Sequence, residues 1–319
     1  MKLCMVGYGS IAECHMQAFG ELDRVDAHVL VGRRPQPTAA FAHQWGFRHH
    51  TLDLDEALAD GDVDAVVVTS PSQVHAPQAM KVLAAGKHLL LEIPMALNYA
   101  DAEKITRLSR SADRRLMICH SMRFMPAMVH VRRQVEAGQL HLHHIVGFFG
   151  IMRRDNTSWT GKQRSWTDNI LWHHCCHLVD LSLWMTGSGD AQDVHCRFGP
   201  AHPTQGIMDI SLSMVLPGQT LVSIAQSYNM SAFRWRVLFI GREATFEFDT
   251  GRLLDGEGNV VLPRESIVDL RQQNSEFVAA VRQGRDPAIT GEEALGAMRA
   301  LQAAQDSAEN AQARSSPIN

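Results

Sequence analysis

Excess positive charge is missing from this 319-residue chain: 30 Lys and Arg stand against 34 Asp and Glu, a formal net charge of −4. No broad cationic field is available to a polyanion, which excludes nucleic acid as a partner class. No apolar run is long enough to span a bilayer, so a membrane-crossing helix is excluded as well. The opening run Met1-Lys2-Leu3-Cys4-Met5-Val6-Gly7 is too short for a signal peptide and leads straight into a glycine turn, so it reads as a buried strand. The six cysteines (Cys4, Cys14, Cys119, Cys175, Cys176, Cys196) make no C-x-x-C pair and no even framework. That excludes a disulfide scaffold and suits the reduced thiols of a cytoplasmic enzyme. Internal repeats, charge blocks and low-complexity linkers are also absent.

What is present is a globular composition, 45% apolar and 20% charged, on a chain too long for one ordinary core. Short apolar strands at Leu3 to Val6, Ala27 to Val31, Ala65 to Val68, His88 to Leu91 and Leu116 to Cys119 alternate with helical stretches. Their near-continuous Val and Leu runs predict an α/β domain over residues 1–120, a doubly wound parallel sheet covered on both faces. Beyond it the strands lengthen and become adjacent: Ile207 to Leu216 and Thr220 to Ser227 flank Pro217-Gly218-Gln219, and Arg234 to Phe239 and Ala244 to Phe248 flank Gly241-Arg242-Glu243. Residues 121–319 are therefore expected to form an α+β domain around a large, mostly antiparallel open sheet. A helix is expected from Trp172 to Met185.

The loop Gly7-Tyr8-Gly9-Ser10-Ile11-Ala12 follows a strand and opens a helix, the setting in which G-x-G-x-x-G binds a dinucleotide. Gly7 permits the tight turn, Gly9 admits the pyrophosphate to the backbone, and the amides of Ser10 and Ile11 start a helix that favours an anion. The end of the second strand narrows the cofactor. NAD enzymes place an acid there for the ribose hydroxyls, whereas this chain reads Val31-Gly32-Arg33-Arg34. Two guanidiniums in place of an acid suit a 2′-phosphate, so NADP is the expected cofactor.

Four stretches in order carry a family likeness: Gly7 to Ala12; Thr69-Ser70-Pro71-Ser72-Gln73-Val74-His75; Ala85-Gly86-Lys87-His88-Leu89-Leu90-Leu91-Glu92-Ile93-Pro94; and His177-Leu178-Val179-Asp180 followed by Trp184. With Ile289 to Leu295 near the end, the chain resembles the Gfo/Idh/MocA oxidoreductases over nearly its whole length. The resemblance implies that Ser70, Pro71, His75, Glu92, Ile93 and Arg123 line the cofactor site. Where the family usually reads Glu-Lys-Pro this chain has Glu92-Ile93-Pro94, which removes the lysine expected at a sugar hydroxyl. Where it usually has an Asp four residues before its catalytic His, this chain has His173. These departures, with Asn169-Ile170-Leu171-Trp172-His173-His174, resemble one branch. In bacterial protocatechuate 4,5-cleavage that branch oxidises the cyclic hemiacetal of a dicarboxylate semialdehyde to 2-pyrone-4,6-dicarboxylate with NADP+.

Hemiacetal oxidation needs a base for the hydroxyl proton, and histidine suits neutral pH. His173 and His177 stand four apart and share one face of a helix. By the family match His177 is the expected base and His173 its partner or a substrate donor, while His174 on another face reads as a packing residue. A dicarboxylate substrate needs cations, because a buried unpaired carboxylate is costly. Arg123, and Arg164 in Lys162-Gln163-Arg164 beside Trp159 and Trp166, are the candidates; Arg153-Arg154 also reads as a solvated pair. No third ligand at a recognisable spacing joins the histidines, so no metal is expected. The alternatives are a sugar or cyclitol dehydrogenase of the same family and, in a different class, a non-catalytic NADP-binding regulator. The open sheet exposes a face that pairs between subunits in this family, which implies a homodimer or larger.

Overall fold

The computed structural model describes every residue except Trp159, Lys162, Ser165 and 316–319, so the expectations resting on Trp159 and Lys162 lie outside the described residues. The chain packs as two compact units. Met1–Cys119, Ser158–Gln163 and Val268–Leu295 form the first, and His120–Thr157, Arg164–Ile267 and Gly296–Asn319 the second. A single break at residue 120 thus omits two later stretches that return to the first unit. The larger of them buries Phe277 and Asn274 completely.

The first unit runs β1 (Lys2–Val6), α1 (Ser10–Gly20), β2 (Asp26–Val31), α2 (Pro35–Trp45), β3 (His49–Thr51), α3 (Leu54–Ala59), β4 (Ala65–Val68), α4 (His75–Ala84), β5 (His88–Leu91), α5 (Tyr99–Ser111) and β6 (Leu116–Ile118). The strand order is β3-β2-β1-β4-β5-β6, with every pair parallel. This is the doubly wound Rossmann order. Leu3, Met5, Val66, Val67, Leu90 and Leu91 have no exposed surface, which is why these strands read as continuous apolar runs rather than alternating ones. The order reverses beside β1 and β4, and ligands of open α/β sheets bind where the strand ends meet such a reversal. Three loops converge there: Gly7 to Ser10, Gly32 to Arg34, and Thr69 to Pro71. A hollow of about 530 Å³ lies at the opposite edge, lined by Met1, Asp64 and His88 among others. It faces the strand starts, away from that crevice.

The second unit contains α6 (Pro126–Glu136), β7 (Leu142–Met152), a π-helical turn at Leu171–Cys175, α7 (Cys176–Thr186), β8 (Gln192–Phe198), β9 (Ala201–His202), β10 (Gly206–Ile207), β11 (Asp209–Leu216), β12 (Thr220–Ser227), β13 (Asn229–Gly241), β14 (Thr245–Asp249), β15 (Arg252–Asp255) and β16 (Val260–Leu262). Its eight-stranded sheet has the order β16-β15-β14-β13-β7-β12-β11-β8, antiparallel except for the parallel β12–β7 pair. Side chains alternate as the sequence pattern requires: Ile210, Leu212, Met214 and Leu216 are buried, Ser211 and Ser213 exposed. The inner face packs on α7, where Gly147 leaves room for Leu178. Two helices end the chain, α8 (Arg271–Gln283) and α9 (Gly291–Ser315). No helix among the described residues is long and apolar enough to cross a membrane, and all six cysteines are free.

The helix expected from Trp172 to Met185 begins differently. The Asn169 carboxamide oxygen accepts from the Leu171 and Trp172 amides at 3.0 and 3.2 Å, and the Cys175 amide reaches the Ile170 carbonyl, five residues back, at 3.2 Å. The wider π turn changes the angular step between residues, so a four-residue spacing across it no longer places two side chains directly above one another.

Candidate functional site

Gly7 has φ +114°, and a Cβ there would lie 2.6 Å from Thr69 Oγ1 and 2.9 Å from the Thr69 carbonyl oxygen. Only glycine fits. A Cβ on Gly9 would meet nothing within 4 Å. Among the described residues nothing crowds the space a Gly9 side chain would fill, and that space is what a pyrophosphate needs to reach the backbone. The N-terminus of α1 carries no side-chain cap, so its first amides point outward. The Ser10 hydroxyl meets Ser158 Oγ at 3.0 Å and Thr160 Oγ1 at 2.5 Å, which brings a stretch 150 residues distant onto this loop. The cradle fits a dinucleotide.

At the end of β2, Arg33 and Arg34 are exposed, and Arg34 Nε lies 3.4 Å from the Tyr8 hydroxyl. Gly32 has no room for a side chain, because a Cβ would overlap Thr38, whose hydroxyl donates to the Arg34 carbonyl at 2.6 Å. An acid at position 32 is thereby excluded on steric grounds.

The loops after β4 and β5 are braced from inside. His75 is buried, with Nδ1 2.8 Å from the Pro94 carbonyl oxygen and Nε2 2.7 Å from that of Ser70. Burial pushes its pKa down, while the two carbonyls favour the charged ring. Both nitrogens of His75, expected to line the cofactor site, face backbone carbonyls and tie the loops after β4 and β5 together. Ser70 hydrogen-bonds Gln78. Glu92 accepts from the Ile93 amide at 3.1 Å and meets His15 Nε2 at 2.9 Å, and His15 Nδ1 lies 3.1 Å from Asn274 Oδ1. Ile93 is buried. Sequence reasoning missed His15 and Asn274. A polar residue on the inward face of α1 was the available signal for the first, and nothing local marks the second.

In the second unit the histidines divide. His173 lies edge-on to Trp166 at 6.3 Å and to His174 at 4.5 Å, whereas His177 lies against Trp235 at 5.5 Å between ring centroids. His174 is more than a packing residue: it stacks on Phe149 at 4.2 Å and its Nδ1 lies 2.6 Å from the Tyr228 hydroxyl. Burial, then the charges of His173 and Arg153, hold its pKa well below the ordinary value. Asp168, His173 and His174 each present a ligand-type atom within 4.8 Å of the others. Asp168 also receives Arg164 Nη1 at 3.1 Å and ion-pairs with Arg153.

Arg123 is committed elsewhere. Its Nε and Nη2 donate to the two Asp180 oxygens at 2.9 and 2.6 Å, with both side chains buried. Burial raises the Asp180 pKa, but Arg123 and His120, with a further contribution from His177, bring it below the usual carboxylate value. Arg123, expected at a substrate carboxylate, thus has its Nε and Nη2 on a buried acid three residues after His177.

The doubly wound parallel sheet with its glycine-loop cradle is the build of a dinucleotide-binding unit, and the family matches make the chain an oxidoreductase. Residues 1–120 match the oxidoreductase family with the NAD-binding Rossmann fold, GFO_IDH_MocA, and residues 126–264 match the C-terminal domain of bacterial oxidoreductases. The chain is 31% identical over 312 residues to the 4-carboxy-2-hydroxymuconate-6-semialdehyde dehydrogenase of Sphingobium sp. (strain NBRC 103272 / SYK-6), covering 94% of this chain and 96% of that one. It is 21% identical over 292 residues to the scyllo-inositol 2-dehydrogenase (NADP(+)) IolU of Bacillus subtilis (strain 168), covering 91% and 75%. GenD2 from gentamicin A biosynthesis, solved in complex with NAD, superposes with a TM-score of 0.85 at 22% identity over 98% of this chain and 95% of that one. The chain belongs to the Gfo/Idh/MocA oxidoreductase family.

Proposed function

We propose that the protein oxidises the cyclic hemiacetal of 4-carboxy-2-hydroxymuconate-6-semialdehyde to 2-pyrone-4,6-dicarboxylate with NADP+, in the catabolism of protocatechuate. One observation carries the reading: the 31% identity to the Sphingobium enzyme runs through both units, over 94% of this chain. Arg33 and Arg34 at the end of β2, with an acid barred from position 32, favour the 2′-phosphate of NADP over NAD.

NADP+ when bound supplies the hydride acceptor for the hemiacetal carbon, leaving the lactone carbonyl. Gly7, Gly9, Ser10 and Ile11 would hold its pyrophosphate, and Ser70, Pro71, Glu92 and Ile93 the nicotinamide side. His177 takes the hydroxyl proton, and a protonated His177 is attracted to the Asp180 carboxylate on the next turn. Buried Ile93 offers no charge at the position where a sugar dehydrogenase uses lysine, so proton removal falls to α7. His173 donates to the substrate. The reading includes assembly as a homodimer or larger: Val146, Phe148, Leu221 and Leu238 stand in neighbouring register on the outer face of the sheet, with Leu221 49% exposed.

The test is to supply the ring-cleavage product of protocatechuate with NADP+ and follow reduced nicotinamide by absorbance, with scyllo-inositol as the comparison substrate because of the IolU likeness. Turnover of the semialdehyde and not of the inositol is expected. Turnover of inositol alone overturns the substrate, and cofactor binding without turnover of either points to a regulator.

A further inference from the structure

The geometry points to Arg153 and Arg164 as the subsite for a substrate carboxylate, with Asp168 as their shared, fixed counter-ion. This deepens the reading above and rests on it for the identity of the anion.

Arg153 follows the last residue of β7; its amide donates to the Tyr228 carbonyl at 2.8 Å and its guanidinium lies 4.5 Å from the centre of the Tyr228 ring. Arg164 pairs back through its amide to the Asn156 carbonyl at 2.8 Å, and its guanidinium lies 4.7 Å from the Trp166 ring. Both converge on Asp168. The three side chains are 10%, 14% and 0% exposed. Aromatic faces beneath two planar forks fix their orientation, as bidentate recognition of a carboxylate requires.

Two guanidiniums on one carboxylate leave one positive charge over, and among the described residues the neighbours do not cancel it. Tyr228 stays a neutral phenol, since burial pushes its pKa up. His174 stays neutral, since burial and the surrounding cations push its pKa down. Asp155 faces Arg164 but is exposed, so water screens it. Burial and then Arg153 bring Arg164 down from its usual value to about 10, as expected of a cation held beside a second cation. Arg164 Nη2 is buried and has no hydrogen-bond partner among the described residues. An uncompensated buried charge with a spare donor is costly unless an anion supplies the remainder. A metal ion on Asp168, His173 and His174 would instead bring a further cation onto an acid that already holds two.

The experiment measures binding of isophthalate, whose two carboxylates are meta-disposed like those of the pyrone product, and of its neutral diamide. Full-length protein with saturating NADP+ is used, by calorimetry and thermal melting. Wild type is expected to bind isophthalate and not the diamide. Arg164→Gln is expected to weaken isophthalate roughly 10–100-fold. Without ligand it should melt no lower than wild type, because the surplus charge has gone. Arg153→Gln reports on the second fork in the same way. Unchanged isophthalate affinity in Arg164→Gln, no isophthalate binding by wild type, or zinc binding that Asp168→Asn abolishes while isophthalate does not bind, each overturns the subsite. Isophthalate binding through Arg164 without hemiacetal oxidation keeps the subsite and removes the proposed substrate. Hemiacetal turnover with an unchanged KM in Arg164→Gln does the reverse.

Discussion

Arg123→Met tests whether a buried arginine beside the proposed catalytic helix serves stability or substrate. Wild-type Arg123 makes two bonds to Asp180, at 2.9 and 2.6 Å, with side chains 8% and 1% exposed. Removing the cation leaves a buried carboxylate with His120, 3.5 Å away, and the weaker influence of His177 in place of the guanidinium. Breaking one side of such a pair costs about 3–5 kcal/mol. For a unit of this size about 2–4 °C of melting temperature follows each kcal/mol, so a loss of roughly 6–20 °C is expected by calorimetry. Asp180→Asn, which strands the guanidinium, is expected to fall in the same range. Replacing both, Arg123→Met with Asp180→Leu, restores most of the loss, since an apolar pair of similar volume replaces a desolvated ion pair. Among variants that remain folded, KM for the carboxylate substrate should hardly move. The reasoning is refuted if Arg123→Met melts within about 2 °C of wild type while KM rises tenfold, because Arg123 then holds substrate rather than Asp180.

His177→Ala is expected to lose turnover by about 10²–10⁴-fold with NADP+ affinity unchanged in a fluorescence titration, and normal turnover removes it from the mechanism. Replacing Arg33 and Arg34 by Ala together is expected to weaken NADP+ about 10-fold or more and NAD+ little, and equal losses discard the phosphate assignment. Acid sensitivity follows from Asp180, whose folded pKa lies below its unfolded value. The stability it contributes is complete above the unfolded carboxylate pKa of about 3.9 and drains away as pH falls through the lower folded value. Urea midpoints measured below about pH 4 should therefore drop more steeply for wild type than for Asp180→Asn; parallel curves contradict this.

The parallel sheet was legible because its strands are buried on both faces and write themselves as unbroken Val and Leu runs, and Gly7 announced its own turn. The antiparallel strands were legible through alternation, as at Ile210 to Leu216. What escaped were contacts between residues far apart in the chain. Arg123 presents an exposed cation's chemistry in sequence, and only the fold shows its fork closed on Asp180, 57 residues on. Arg153 looked like half of a solvated pair, yet its side chain is only 10% exposed while Arg154 is exposed. The π turn at Leu171–Cys175 eluded a periodicity argument because such a turn replaces the very period on which the argument relies.

The three-piece makeup of the first unit bears on how the protein comes into being on the ribosome. The amide of Ile118, at the end of β6, is satisfied by the Ile289 carbonyl at 3.2 Å, and buried His15 leans on Asn274. Neither partner exists when residue 120 has just been synthesised. The nascent nucleotide-binding half must therefore wait, incomplete, for more than half of the chain to follow, and a fragment cut at residue 120 would lack the pieces that close its own interior.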